Sequence, residues 1–134
     1  MKDVADSARD RIWYGEPDTD YTDYSGVEPP RKLMFTLTGK CNLRCAHCVR
    51  GLLDVSAHET PAALVNYVIE SLLPGLEAIR LGGTDLGEQL IARQFEPFLE
   101  AILRYPELDL EIISNLSILT ERKAELIASG CRHF

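Results

Sequence analysis

The sequence lacks several features that mark well-known classes of protein. It has no apolar run near the roughly 20 residues that a membrane-spanning helix needs, and the segment from Met1 to Arg11 is charged rather than apolar. We therefore expect no membrane partner, no targeting segment and a cytoplasmic location. It also lacks a Gly-x-Gly-x-x-Gly fingerprint, a phosphate-binding loop and a nucleophile elbow, so the usual motifs of nucleotide-binding folds and serine hydrolases are missing.

Cysteine is scarce, and its distribution is uneven. The chain has four cysteines, of which Cys41, Cys45 and Cys48 lie within eight residues. A disulfide framework distributes its cysteines along a secreted chain, whereas clustered cysteines in a reducing compartment favour a metal or cluster site. Cys131 stands apart, and we expect it to be a thiol of the core.

Positive charge is also in deficit. The formal net charge is -7, which argues against a nucleic-acid partner because a protein that holds phosphates needs a basic face. Most of the acidity lies in residues 1–28, which contain eight acidic and three basic residues. Residues 29–53 contain no acidic residue and five basic ones, so the cysteine segment lies in locally basic surroundings.

The rest of the composition is that of one globular core. The chain has 134 residues, 46% of them hydrophobic and 26% charged, which is typical of a soluble domain. Residues 1–30 follow neither a helical nor a strand period, and Pro29 and Pro30 favour an extended backbone. We therefore expect an N-terminal leader over residues 1–30 and a folded domain over residues 31–134.

Apolar runs and helical periods alternate through residues 31–134. We expect strands at Leu33–Leu37, Ala78–Leu81 and Leu108–Ile113, helices at Thr60–Gly75, Leu90–Tyr105 and Thr120–Ser129, and a fourth strand from Cys131. Thr60 and Thr120 are the expected N-caps, and Pro97 is expected to divide the second helix. Successive strand-helix units predict an α/β fold with parallel strands, whose ligands bind at the carboxyl ends of the strands.

The segment Cys41–Cys48 has three interpretations from its residues alone. The three thiols could share one helix face as core residues, although Gly39 and Asn42 favour a loop. They could bind structural zinc with His47 or His58 as a fourth ligand. They could also hold an iron-sulfur cluster, because thiolates are the soft ligands that such clusters select, and three ligands leave one iron open.

The spacing Cys-x-x-x-Cys-x-x-Cys of Cys41–Cys48, directly after an expected strand, resembles the signature of the radical S-adenosylmethionine (SAM) enzymes. The segment Gly82–Asp85 is similar to that family's Gly-Gly-Glu-Pro motif, which holds the amino group of the methionyl moiety. The pair Ser114–Asn115 is similar to its Thr-Asn-Gly segment, which reaches the methionyl and ribose parts. Together the resemblance covers about Lys32–Phe134.

This resemblance implies a fold, a reaction and a set of ligands. The implied fold is a parallel (β/α) partial TIM-like barrel, represented by three β/α units and the start of a fourth strand. Cys41, Cys45 and Cys48 would ligate a [4Fe-4S] cluster that reductively cleaves SAM to a 5'-deoxyadenosyl radical, which abstracts a hydrogen atom from a substrate. The electron would come from a donor such as flavodoxin or ferredoxin. The implied cofactor contacts are His47, Gly82, Gly83, Thr84, Asp85, Glu88, Ser114 and Asn115.

The chain departs from the family pattern in places. Thr84 stands where the motif has its acid, so Asp85 or Glu88 would assist backbone carbonyls in holding the amino group. The segment Gly82–Glu88 resembles a variant found in peptide-modifying, SPASM-type members, which implies a peptide as substrate. Such members usually carry a C-terminal extension with further clusters. The family's barrel has six β/α units, whereas this sequence contains three and the start of a fourth, so we expect that the natural chain continues past Phe134 or that a partner supplies the rest. Two alternatives stay open: a zinc-stabilised binding module without turnover, and a degenerate member that binds a cluster but does not cleave SAM.

Overall fold

The chain forms a parallel sheet with helical connections. A computed structural model describes residues 28–48, 50, 58–83 and 87–133. Within them, four strands form one sheet in the order β1-β2-β3-β4, namely β1 Lys32–Phe35, β2 Ala78–Leu81, β3 Asp109–Ile112 and β4 Cys131–His133. All three strand pairings are parallel. The predicted parallel α/β fold is confirmed, its completion as a partial barrel stays a prediction, and most of the predicted leader lies outside the described residues.

The centre of the sheet is covered by helices. Ile79, Leu81 and Leu110 have no exposed surface, as expected for parallel strands between helical crossovers. Phe98 packs its ring against Phe35 of β1, with the ring centroids 5.4 Å apart. The predicted apolar runs therefore form the core, and the polar loops that follow the strands are left at one edge.

The first connection is helical over its predicted length but begins differently. Helix α1 Ala62–Tyr67 continues as a π-helical turn Val68–Leu72 and a 3-10 turn Leu73–Gly75. The predicted N-cap at Thr60 is wrong, because Pro61 is the cap residue and no side chain caps the helix. The Thr60 hydroxyl instead donates to the carbonyl oxygen of Thr36 at 2.6 Å, which ties the start of the helix to the end of β1.

The connection between β2 and β3 contains two helical segments, although the break between them is not at Pro97 as predicted. A 3-10 helix Gln89–Ile91 is followed by helix α2 Phe95–Ile102. Pro97 is the third residue of α2, where a backbone N–H has no partner within the helix. The proline is therefore accommodated in the first turn, and the break precedes it.

The third connection is helix α3 Glu121–Gly130, and it begins as predicted. The Thr120 side chain accepts a hydrogen bond from the backbone N–H of Lys123 at 3.3 Å, so its N-cap role is confirmed. Cys131 begins β4 and packs against the core, with its thiol 3.2 Å from the carbonyl oxygen of Leu110. In the described part of the chain, no helix is both long and apolar enough to cross a membrane.

Candidate functional site

Three loops leave the sheet at the carboxyl ends of β1, β2 and β3. The first contains the cysteines, the second runs from Gly82 to Gln89, and the third begins with Ser114 and Asn115. Because the strands are parallel, the loops lie at one edge. Direct hydrogen bonds join them: the N–H of Glu88 donates to the carbonyl oxygen of Lys40 at 2.6 Å, and the Asn115 amide donates to Asn42 Oδ1 at 3.2 Å. The structure thus brings together the segments that the sequence singled out.

Glu88 joins the second loop to the third. Its side chain is 1% exposed. Oε1 accepts hydrogen bonds from the N–H of Leu90 at 3.1 Å and from the Ser114 hydroxyl at 2.7 Å. Oε2 accepts from the N–H of Asn115 at 2.7 Å. None of these partners is charged, so three neutral donors compensate the burial of this carboxylate and fix the start of the third loop.

Gln89 joins the second loop to the first. It is also 1% exposed. Its Oε1 accepts a hydrogen bond from the N–H of Leu37 at 2.7 Å, and its Nε2 donates to the carbonyl oxygen of Thr38 at 3.4 Å. These contacts hold the segment that leads into the cysteine loop. The sequence did not predict this role; its one signal is a polar residue that begins an apolar helical run.

Two glycines permit the close approach of these loops. Gly82 has φ +78°, and a Cβ there would lie 3.1 Å from the carbonyl oxygen of Ile113. Gly87 has φ +111°, and a Cβ there would overlap the carbonyl oxygen of Thr38. A side chain at Gly87 would therefore push the second loop away from the first. Gly83, beside Gly82, also has a positive φ of +106°, whereas Thr84 and Asp85 fall outside the described residues.

The three clustered cysteines occupy the first loop as free thiols. Cys41 and Cys48 are half-buried, and Cys45 is exposed. The N–H of Cys48 donates to the carbonyl oxygen of Cys45 at 3.1 Å, which forms a turn between them. In the described residues, however, no three Cys, His, Asp or Glu side chains are arranged as a metal-binding group. The structure therefore places the cysteines on one loop without gathering their sulfurs, and His47 is exposed on the same loop.

The sulfur of Cys41 contacts the loop that follows β3. Its sulfur accepts hydrogen bonds from the N–H of Leu43 at 3.4 Å and from Asn115 Nδ2 at 3.7 Å. Arg50 donates from Nη1 to the Cys41 carbonyl oxygen at 3.3 Å, and its buried Nε has no acceptor in the described part of the chain. Cationic and N–H donors therefore surround the start of the cysteine loop.

This donor set fits an iron-sulfur cluster chemically. Thiolates are the ligands that such clusters use, and the loop carries three free thiols with no acidic residue among them. N–H groups directed at a ligating sulfur stabilise its negative charge. The guanidinium of Arg50 adds a positive charge beside the Cys41 backbone, because its Nη1 donates to the Cys41 carbonyl oxygen.

Comparison with known proteins agrees with the architecture. No protein-family model matches the chain, and no curated protein matches it. The chain has the fold of an α/β protein whose polar loops gather at the carboxyl edge of a parallel sheet. The crystal structure of BtrN in complex with AdoMet and 2-DOIA matches it with a TM-score of 0.64 and 21% sequence identity, over 76% of this chain. The chain spans 43% of the BtrN chain, and at this identity the match shows a shared fold.

Proposed function

We propose that this chain provides the cluster- and SAM-binding part of a radical SAM enzyme. The observation that carries the proposal is the joining of three motif-bearing loops at one sheet edge by Glu88 and Asn115. Cys41, Cys45 and Cys48 would hold a [4Fe-4S] cluster there. The shared fold with BtrN, whose structure contains AdoMet, another abbreviation for SAM, supports the same assignment.

The bound cluster would supply the electron that cleaves SAM to methionine and a 5'-deoxyadenosyl radical, which takes a hydrogen atom from the substrate. The protein's own residues bind and orient. Glu88 presents a buried carboxylate whose Oε2 accepts one hydrogen bond from the protein, which leaves it capacity for the amino group of SAM. The Nε of Arg50, which has no acceptor in the described part of the chain, would bind the SAM carboxylate.

The segment Gly82–Glu88 also supports a substrate class. Its resemblance to peptide-modifying members favours a peptide as substrate. The proposed reduction of the cluster would use an electron donor such as flavodoxin or ferredoxin. A candidate peptide incubated with loaded protein and SAM should lose hydrogen at one residue, which mass spectrometry of deuterium-labelled peptide detects as transfer of deuterium into 5'-deoxyadenosine.

Anaerobic reconstitution with iron and sulfide tests the cluster. The loaded protein should bind about four irons and four sulfides per chain. Cys45→Ala should lose most of this iron, whereas the matched variant Cys131→Ala should retain it because Cys131 packs against the core. Bound zinc without sulfide, or full cluster loading of Cys45→Ala, would overturn the ligand assignment.

A second measurement tests the reaction. SAM should change the electron paramagnetic resonance spectrum of the dithionite-reduced cluster, and 5'-deoxyadenosine should accumulate. If SAM does not change the spectrum of the cluster-loaded, reduced protein and no 5'-deoxyadenosine is released, the chain is a cluster-binding protein that does not cleave SAM.

A further inference from the structure

The three cysteine sulfurs have different surroundings. Cys41 Sγ accepts two N–H hydrogen bonds, from Leu43 at 3.4 Å and from Asn115 Nδ2 at 3.7 Å. Among the described residues, no such donor reaches the sulfur of Cys45 or Cys48. The Asn115 contact also differs in kind from that of Leu43, because it comes from a side chain 74 positions away on the loop after β3.

The orientation of the Asn115 side chain is fixed by its neighbours. Its Oδ1 accepts hydrogen bonds from the N–H of Ser117 at 3.0 Å and from the Ser117 hydroxyl at 2.7 Å. Since both donors occupy the oxygen end, the NH₂ end must face Cys41 and Asn42. The N–H of Asn115 is in turn held by the buried carboxylate of Glu88. The amide is therefore positioned before any cofactor binds.

We propose that Asn115 is a positioning residue that raises the reduction potential of the cluster through its hydrogen bond to the Cys41 sulfur. The inference rests on the proposed function, since it requires a cluster on Cys41. A reduced cluster carries one more negative charge than an oxidised one, so an N–H donor to a ligating sulfur stabilises the reduced state more strongly. Glu88 contributes indirectly, because it holds the backbone from which Asn115 reaches the sulfur.

The test is a redox titration of the reconstituted full chain without SAM, followed by electron paramagnetic resonance of the reduced cluster. At the midpoint potential of the wild type, Asn115→Ala should show a lower ratio of reduced to oxidised cluster. The decrease should be up to about fivefold, the limit reached when the whole net contribution of one hydrogen bond falls on the reduced state. Asn66→Ala, the same substitution at an exposed position of α1, is the matched control and should leave the ratio unchanged.

Asn115→Asp provides a second variant, which keeps the two hydrogen bonds that the Asn115 side chain accepts within its own loop. The carboxylate can still accept the two bonds from Ser117, yet it lacks the donor and adds negative charge, so the midpoint potential should fall further than in Asn115→Ala. If Asn115→Ala takes up no cluster, the midpoint potential of Asn115→Asp tests the proposal instead.

The outcomes separate the two proposals. Variants that load fully and titrate at the wild-type potential would overturn the role of Asn115 and leave the proposed function intact. A wild-type chain that takes up no sulfide would overturn the proposed function and, with it, this inference.

Discussion

The backbone of Leu116 adopts a conformation that is unfavourable for leucine. Its φ is +58°, in the left-handed region that a leucine rarely adopts. Its N–H donates to the Ser114 hydroxyl at 3.0 Å, and its carbonyl oxygen accepts from the N–H of Leu119 at 3.1 Å. Leu116 also occupies the position of the glycine in the Thr-Asn-Gly segment that the family resemblance identified. Hydrogen bonds on both sides of Leu116 therefore hold this residue in a conformation that glycine adopts without strain.

This backbone conformation should reverse the usual order of stability between an alanine and a glycine variant. In a helix, glycine is less stable than alanine by about 1 kcal/mol. At Leu116 we expect Leu116→Gly to be more stable than Leu116→Ala by about 1 kcal/mol, because both lack the leucine side chain and glycine alone relieves the left-handed strain. Urea denaturation of the two variants measures the difference. An alanine variant as stable as the glycine variant would show that the turn is not strained.

Glu88 gives a second prediction at the scale of a residue. Glu88→Ala leaves three donors without their acceptor, and we expect the free energy of unfolding to fall by about 3 kcal/mol or more. Glu88→Gln retains one acceptor oxygen and should lose less. Chemical denaturation of both variants tests this order. Equal losses would contradict this order, because glutamine keeps both the side-chain volume and one acceptor oxygen, and would show that the remaining acceptor contributes nothing.

The helices and strands show which local signals survive in the fold. Strand β2 has the predicted bounds Ala78–Leu81, whereas β1 and β3 are shorter than their apolar runs. Thr120 caps α3 as predicted, because the hydroxyl has a local partner three residues away. Thr60 is also a threonine that precedes a helix, yet its hydroxyl donates to the carbonyl oxygen of Thr36, 24 positions away. A cap is therefore predictable only where no tertiary partner competes for the side chain.

The same reasoning separates the predicted from the unpredicted parts of the site. The cysteines, Gly82 and the pair Ser114–Asn115 carry spacing or residue-type signals, whereas the role of Gln89 depends on which loops meet. The ion pair between Arg80 and Glu111 is a further example. Their Nη2 and Oε2 atoms lie 2.7 Å apart, and both side chains are about nine-tenths buried. Only the register that pairs them across β2 and β3 brings the charges together.

The capping of α3 gives a prediction at the scale of an element. Thr120→Ala should lower the free energy of unfolding by about 1 kcal/mol, because the N–H of Lys123 loses its acceptor. Thr120→Ser keeps the hydroxyl and should retain most of this stability. Thermal denaturation compares the three proteins. A serine variant as unstable as the alanine variant would show that the threonine methyl, and not the cap, stabilises the helix.

On the scale of the whole molecule, the sheet and the cysteine loop differ in how they are stabilised. The strands are held by a shared apolar core of residues from β2, β3 and the helices. The cysteine loop is mostly exposed, and hydrogen bonds to Glu88 and Asn115 attach its start to the other two loops. Any ligand that binds across these loops therefore joins segments that the core leaves largely unsupported. Binding should consequently stabilise the fold measurably.

This coupling gives the last prediction. For cluster-loaded protein, SAM at about 100 times its Kd should add about 2.7 kcal/mol to the free energy of unfolding, which for a chain of this size corresponds to a rise in Tm of several degrees. Protein without a cluster should show a much smaller rise in Tm, because in the proposed site SAM binds to the open iron of the cluster. Differential scanning calorimetry under anaerobic conditions measures both. Cys45→Ala, carried through the same reconstitution, is the control and should behave as protein without a cluster. An equal rise in all three samples would mean that the loops after β2 and β3 bind SAM without the cluster, and that the cysteine loop serves another purpose.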